Sequence, residues 1–200
     1  RKYKDFIYMN IGTGLSAGIV SDGRIIRGAG NYAGECGHIK VEFDGELCKC
    51  GNRGCLETIA SGGGIIDVVH RMLPHYPTSK LHSLVENNML FSKTIFEEAD
   101  KGDELSKIIA ERAVEGLGTG LVDLVNILNP EAVILGGGVV ADGWLIDRVS
   151  DYIDKYALPI VKKYFKGLLP SRLDPNQVGL LGASSIAWEY IKKRKELNYE

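Results

Sequence analysis

The sequence predicts one α/β domain. Three features carry that expectation: a short antiparallel meander at the start, a long amphipathic helix opening near Asp103, and a strand, glycine and helix unit after Pro130. Two hundred residues with 44% hydrophobic content can bury one sizeable core and are too few for two full catalytic domains.

The meander comes first. An apolar strand over Ile7 to Ile11 runs into a glycine-rich turn over Gly12 to Gly18, and a second strand follows at Ile19-Val20. Ser21-Asp22-Gly23 is a tight-turn signal that leads into a third strand, Arg24-Ile25-Ile26. Beyond a cluster of cysteines the period changes: Ile59, Ile65, Ile66, Val69 and Leu73 predict a helix interrupted near Gly62-Gly63-Gly64 and stopped at Pro74. Residues 74–91 carry no clear period.

Asp103 is placed to cap the long helix, whose apolar face is Leu105, Ile109, Ala113, Leu117, Leu121, Leu124 and Leu128 and which Asn129-Pro130 ends. Gly116, Gly118 and Gly120 fall inside this pattern, where they permit close packing rather than form a loop. Ala132 to Leu135 is then a short buried strand that enters Gly136-Gly137-Gly138, followed by a helix from about Asp142 to Tyr156. Another apolar stretch, Val178 to Leu181, precedes a last helix from Ala183 to about Lys193, and Lys192-Lys193-Arg194-Lys195 supplies favourable charge at its C-terminus.

Charge and hydropathy exclude several classes of function. The net charge is −2 with both signs interspersed, so there is no basic stripe for nucleic acid, and small-molecule partners are expected. No apolar run is long enough to span a membrane, and Arg1 to Asn10 has neither an apolar signal core nor a cleavage site, so a soluble cytoplasmic protein is expected. Phe6 to Ile11 already reads as a strand after only five residues of lead-in, which suggests a fragment whose N-terminal partner has been removed.

Cys36, Cys48, Cys50 and Cys55 fall close together with His38. One residue between Cys48 and Cys50 strains a mutual disulfide, whereas thiolates and an imidazole suit a closed tetrahedral zinc site. The turn residues in Cys50-Gly51-Asn52-Arg53-Gly54-Cys55 let both sulfurs face one ion. Spacing leaves the fourth ligand open, because Cys36 and His38 share a face if they lie on a strand.

Both glycine loops are candidate phosphate cradles. Gly12-Thr13-Gly14 sits at a strand end, where bare backbone N–H groups and the Thr13 hydroxyl can approach phosphate oxygens, although a ligand-free hairpin turn explains the same triplet. Gly136-Gly137-Gly138 lies between a strand and a helix, where a nucleotide can pack against backbone. Neither loop has the lysine of a Walker A motif or the Rossmann pattern.

Taken together, Gly12 to Val20, Asp22-Gly23, Arg27-Gly28, Ala33 to His38 and Cys48 to Glu57 resemble the ROK family of sugar kinases and repressors. The resemblance continues through Leu128 to Glu131, Val133 to Gly138 and Gly179 to Ala183. It implies an actin-like, RNase H-like ATPase lobe with a zinc-binding loop over about residues 36–57, the second of two lobes that close on sugar and ATP. By position it implies zinc ligands at His38, Cys48, Cys50 and Cys55, and sugar contacts at Glu35, His38 and Glu57. It also implies a phosphate loop at Gly12, Thr13 and Gly14 and an adenosine side at Gly136, Gly137 and Gly138. Ser16 stands where the family usually has glycine, and Gly30-Asn31 reverses the order common in its kinases, which bears on the identity of the sugar.

In family kinases the proton-accepting aspartate precedes the Gly-Thr-Gly strand, so the general base is expected upstream of Arg1 and these residues alone are expected to be inactive. Two functions follow from the resemblance. The favoured one is an ATP-dependent hexose kinase that uses Mg²⁺, because both glycine loops are intact. The alternative is a sugar-sensing repressor that reaches nucleic acid only through a missing N-terminal domain. Family members also associate as homodimers or higher homo-oligomers, so a zinc-stapled interaction lobe is a third reading.

Overall fold

In chain order, β1 is Phe6–Ile11, β2 Leu15–Ser21 and β3 Arg24–Ile25; α1 is Glu57–Ala60, α2 Gly62–Met72, α3 Leu81–Glu86, α4 Ser92–Asp100 and α5 Glu104–Leu128. Then come β4 at Ala132–Gly136, α6 at Trp144–Tyr156, α7 at Pro159–Lys162, β5 at Leu168–Pro170 and α8 at Val178–Leu197. This computed structural model describes residues 3–174 and 177–197. It divides into two compact units, Arg1–Pro170 and Ser171–Glu200.

The first unit is built on a five-stranded sheet in the order β3-β2-β1-β4-β5. Strands β1 to β3 form the expected antiparallel meander, but β1 also pairs in parallel with β4, and β4 with β5. Alternation sets the faces of β1: Ile7, Met9 and Ile11 are fully buried and the residues between them only partly so. The predicted turn over Gly12 to Gly18 is too long. Strand β2 already begins at Leu15, which pairs with Ile11, so only Gly12, Thr13 and Gly14 turn the chain.

The core lies between the sheet and the helices. Helix α5 runs the full predicted length; Asp103 caps it by accepting from the Ser106 amide at 3.0 Å, and it ends where Asn129 turns left-handed at φ 44° before Pro130. Its predicted apolar face is buried, with Leu128 partly so. The helix glycines let neighbours in: a Cβ on Gly116 would lie 2.4 Å from Ile59 Cδ1, one on Gly118 2.6 Å from Tyr152 Cγ, and one on Gly120 2.9 Å from Leu56 Cδ2. The predicted break at Gly62-Gly63-Gly64 falls instead at Ser61. Its hydroxyl accepts from the Gly64 amide at 3.0 Å, so the glycines form the first turn of α2.

The second unit carries α8, a single helix that absorbs the apolar stretch Val178 to Leu181 rather than following it. Ser184 and Ser185 donate to the carbonyls of Leu180 and Leu181. Lys192 and Arg194 are exposed on α8, while the side chains of Lys193 and Lys195 lie outside the described residues. No helix among the described residues is long and apolar enough to cross a membrane.

Candidate functional site

The cysteine segment is folded by its glycines. Gly51 and Gly54 adopt φ of +92° and +75°, and a Cβ on Gly54 would run into the Glu42 carbonyl. Asn52 closes the loop by accepting from the Cys48 amide at 2.7 Å, and a bridge between Lys40 and Cys55 brings the far end back. The ligand atoms of His38, Cys48, Cys50 and Cys55 consequently all lie within 4.8 Å of one another. His38 Nδ1 is 3.6 Å from Cys48 Sγ, and Cys50 Sγ is 3.7 Å from Cys55 Sγ. Thiolates in a tetrahedron about zinc at ~2.3 Å are ~3.8 Å apart, so the donor set fits that ion in both spacing and chemistry.

Burial, then hydrogen bonding with Cys50 and Cys48, pushes the Cys55 thiol up to about 12, whereas the Asn52 backbone N–H beside exposed Cys50 draws that thiol down. A dication reverses the balance at Cys55 by favouring the thiolate. Cys36 is not part of this cluster. The segment Cys36–His38 is a turn of 3₁₀ helix rather than a strand, which separates the two side chains. Cys36 packs into the core, where burial raises its thiol to about 11.

The acid and imidazole candidates are His38, itself a member of this cluster, with Glu35 and Glu57. With Nδ1 toward the sulfurs, His38 points Nε2 outward, 3.9 Å from Glu35 Oε2, too long for a direct hydrogen bond. Glu35 is mostly exposed, its side chain 58% accessible. Glu57 opens α1 and is part-buried, and its Oε2 accepts from the Leu15 amide at 2.9 Å. Gly37 joins the groups, since a Cβ there would lie 2.4 Å from the Leu15 carbonyl oxygen and 3.4 Å from Glu57 Cβ.

Both glycine loops emerge at the carboxyl ends of adjacent parallel strands. Asn10 is in register with Gly136, so Gly12-Thr13-Gly14 leaves β1 next to where Gly136-Gly137-Gly138 leaves β4. Gly137, at φ +98°, packs so closely that a Cβ would lie 2.3 Å from the Ile11 carbonyl oxygen. Crevices at such strand ends are where open α/β sheets bind ligands. The amides of Gly62 and Gly63 in α2 donate to the carbonyls of Gly12 and Thr13 at 2.7 and 3.1 Å, fixing the first loop from below.

Several positioning residues escaped the sequence. The run that contains Gly62 and Gly63 signals a helix break in sequence, whereas in the structure both amides support the first glycine loop. Arg112 grips Glu42 with two bonds of 3.0 and 2.9 Å and Arg71 pairs with Glu46 at 2.8 Å, tying the cysteine segment to α5 and α2. Arg112 and Glu42 are 70 residues apart, and no local pattern announces the pair. A separate groove of about 570 Å³ between α5 and α6, lined by Trp144, Arg148 and Tyr152 among others, includes none of the candidate residues.

The family model described as the ROK family matches residues 1–189. A glucokinase of Thermotoga maritima is 30% identical over 197 residues, covering 96% of this chain and 60% of that protein. A xylose repressor of Caldicellulosiruptor bescii is 36% identical over 155 residues, covering 77% of this chain and 39% of that protein. Among solved structures, a ROK family glucokinase from Streptomyces griseus in complex with glucose and AMPPNP superposes with a TM-score of 0.68 at 30% identity, covering 93% of this chain and 61% of that one. The chain thus spans roughly half the length of the relatives it matches.

Proposed function

The chain belongs to the ROK family, and on that premise we propose that it is the C-terminal sugar- and nucleotide-binding lobe of an ATP-dependent hexose kinase. The observation that carries this reading is the pair of glycine loops at the neighbouring carboxyl ends of β1 and β4, with Glu57 bonded to the residue that follows the first loop. In this reading Gly12, Thr13 and Gly14 hold the phosphates of Mg²⁺-bound ATP, and Gly136, Gly137 and Gly138 face its nucleoside. Phosphoryl transfer depends on positioning and charge stabilisation, which such backbone supplies. Glu35 and Glu57 accept from sugar hydroxyls, and His38 donates through Nε2. His38, Cys48, Cys50 and Cys55 hold a structural zinc, which when bound fixes the His38 tautomer and stiffens the segment that carries these groups. The glucokinase relatives add support.

A repressor reading is favoured by one observation, the 36% identity to the xylose repressor, and it needs the sugar contacts but no nucleotide. The test is ADP release by the intact protein with Mg-ATP and glucose, mannose or N-acetylglucosamine. Saturable turnover, lowered by Thr13→Val while nucleotide-free sugar affinity holds, is expected. ATP-independent operator binding that sugar releases, with no turnover, overturns the kinase assignment.

A further inference from the structure

Gly14 is glycine for a reason its own backbone does not supply. Its φ is outside the left-handed region that excludes other residues. A Cβ built on it meets only Glu57, with Oε2 at 2.9 Å and Cδ at 3.8 Å. That same Oε2 accepts from the Leu15 amide at 2.9 Å. The carboxylate therefore stands in the space a side chain at 14 would fill, held there by Leu15, the first residue of β2.

We infer that Gly14 is a positioning residue for the sugar site: its missing side chain reserves the seat of the Glu57 carboxylate. The inference rests on the reading of Glu57 as a sugar contact. It gives the first glycine loop a second duty, independent of any phosphate. An alanine methyl at 14 displaces the carboxylate rather than the backbone, because the end of a glutamate side chain is the movable partner. Glu57 then leaves the Leu15 amide and loses its aim at the sugar, while the other oxygen-bearing groups of the site stay in place.

The consequence is unusual for a phosphate-loop substitution, since sugar binding should weaken with no nucleotide present. The experiment uses the zinc-loaded intact protein, with calorimetric binding of whichever of glucose, mannose, xylose or N-acetylglucosamine the parent binds most tightly. Gly14→Ala should weaken binding about tenfold or more, the worth of a hydrogen bond to a charged group, with zinc content unchanged. Gly18→Ala is the control, because a Cβ there meets nothing within 4 Å, and its affinity should match the parent. In a Glu57→Ala background Gly14→Ala should cost less than about twofold, since both changes remove one interaction.

A second readout needs no ligand. Amide exchange at Leu15 should quicken in both Gly14→Ala and Glu57→Ala, as each removes its acceptor. Parental exchange at Leu15 in both variants overturns the inference, as does a Gly14→Ala loss that persists in full without Glu57. Parental sugar affinity in Gly14→Ala, with a loss in Glu57→Gln, overturns the role of Gly14 and leaves the sugar reading standing. Parental affinity in Glu57→Gln overturns the sugar reading itself, and the inference with it.

Discussion

His38 Nδ1 lies 3.6 Å from Cys48 Sγ, close to the ~3.8 Å edge of a tetrahedron of thiolates around zinc. The expected outcome is one zinc per chain by elemental analysis. Cys50→Ser is the informative variant because Cys50 is exposed while Cys48 and Cys55 are buried, so its replacement costs little packing. Metal binding free energy in such sites is largely folding free energy. Cys50→Ser should therefore lower both metal content and melting temperature, and a variant as stable as the parent would remove zinc from the account of this segment.

A second expectation concerns Asp103, which caps α5. Burial raises its carboxyl, but hydrogen bonds from the amides of Ser106 and Lys80 and the hydroxyls of Ser106 and Ser79 outweigh that and hold it below the usual range. The folded state thus binds the proton less readily than the unfolded chain. The stabilisation is present above the unfolded value near ~4 and is lost as pH falls through the lower folded value. Asp103→Ala should cost ~1 kcal/mol at pH 7 in urea denaturation, as N-cap removal does. The gap between parent and variant should narrow steadily as pH falls below ~4. A gap that does not change with pH there would mean that packing, not the charged cap, is responsible.

These elements were legible to different degrees. Helix α5 could be read from sequence because its period, cap and stop signal all agree. The gathering of His38, Cys48, Cys50 and Cys55 was legible because the four fall close together in sequence with turn residues between them, and their ligand atoms do lie within 4.8 Å of one another. By contrast, the parallel pairing of β1 with β4 joins Phe6 to Ala132 and has no local signature. The short strand β5 and helices α3, α4 and α7 are too short or too weakly patterned to stand out. At the site, spacing alone does not choose between Cys36 and His38, because it does not reveal the 3₁₀ turn that sets Cys36 apart from the cluster. The bond between Glu57 and Leu15 spans 42 residues and became visible only in three dimensions.

A third expectation weighs helix propensity against packing at Gly118. Alanine in a helix interior gains ~1 kcal/mol over glycine. Against that, a Cβ at 118 would sit 2.5 Å from Tyr152 Cδ1 and 3.1 Å from its Cβ, near enough to the backbone of α6 that the ring cannot simply swing aside. Overpacking costs ~1–3 kcal/mol. Gly118→Ala should therefore destabilise on balance and break the contact of 3.1 Å between the Thr119 and Tyr152 hydroxyls. Gly118→Ala in a Tyr152→Ala background should recover the propensity gain; stabilisation by Gly118→Ala alone would show that α6 yields.

The last expectation separates fold from ligand within one glycine loop. Gly137 and Gly138 are neighbours with opposite surroundings. Gly137 holds φ at +98° and packs against the end of β1, so a Cβ there would lie 2.3 Å from the Ile11 carbonyl oxygen and 2.8 Å from the Ile11 nitrogen. Those are backbone atoms of a central strand and cannot yield cheaply. Gly137→Ala should lower the melting temperature markedly, with a cost of ~1–3 kcal/mol from strain and close contact. Gly138 has no positive φ, and a Cβ there meets nothing within 4 Å. Gly138→Ala should consequently leave stability within ~0.5 kcal/mol of the parent. If the loop faces a nucleoside as proposed, that added methyl intrudes on the ligand instead, and affinity for an ATP analogue should fall while sugar affinity measured without nucleotide stays the same. A Gly138→Ala protein that melts and binds nucleotide like the parent would take this loop out of the nucleotide site.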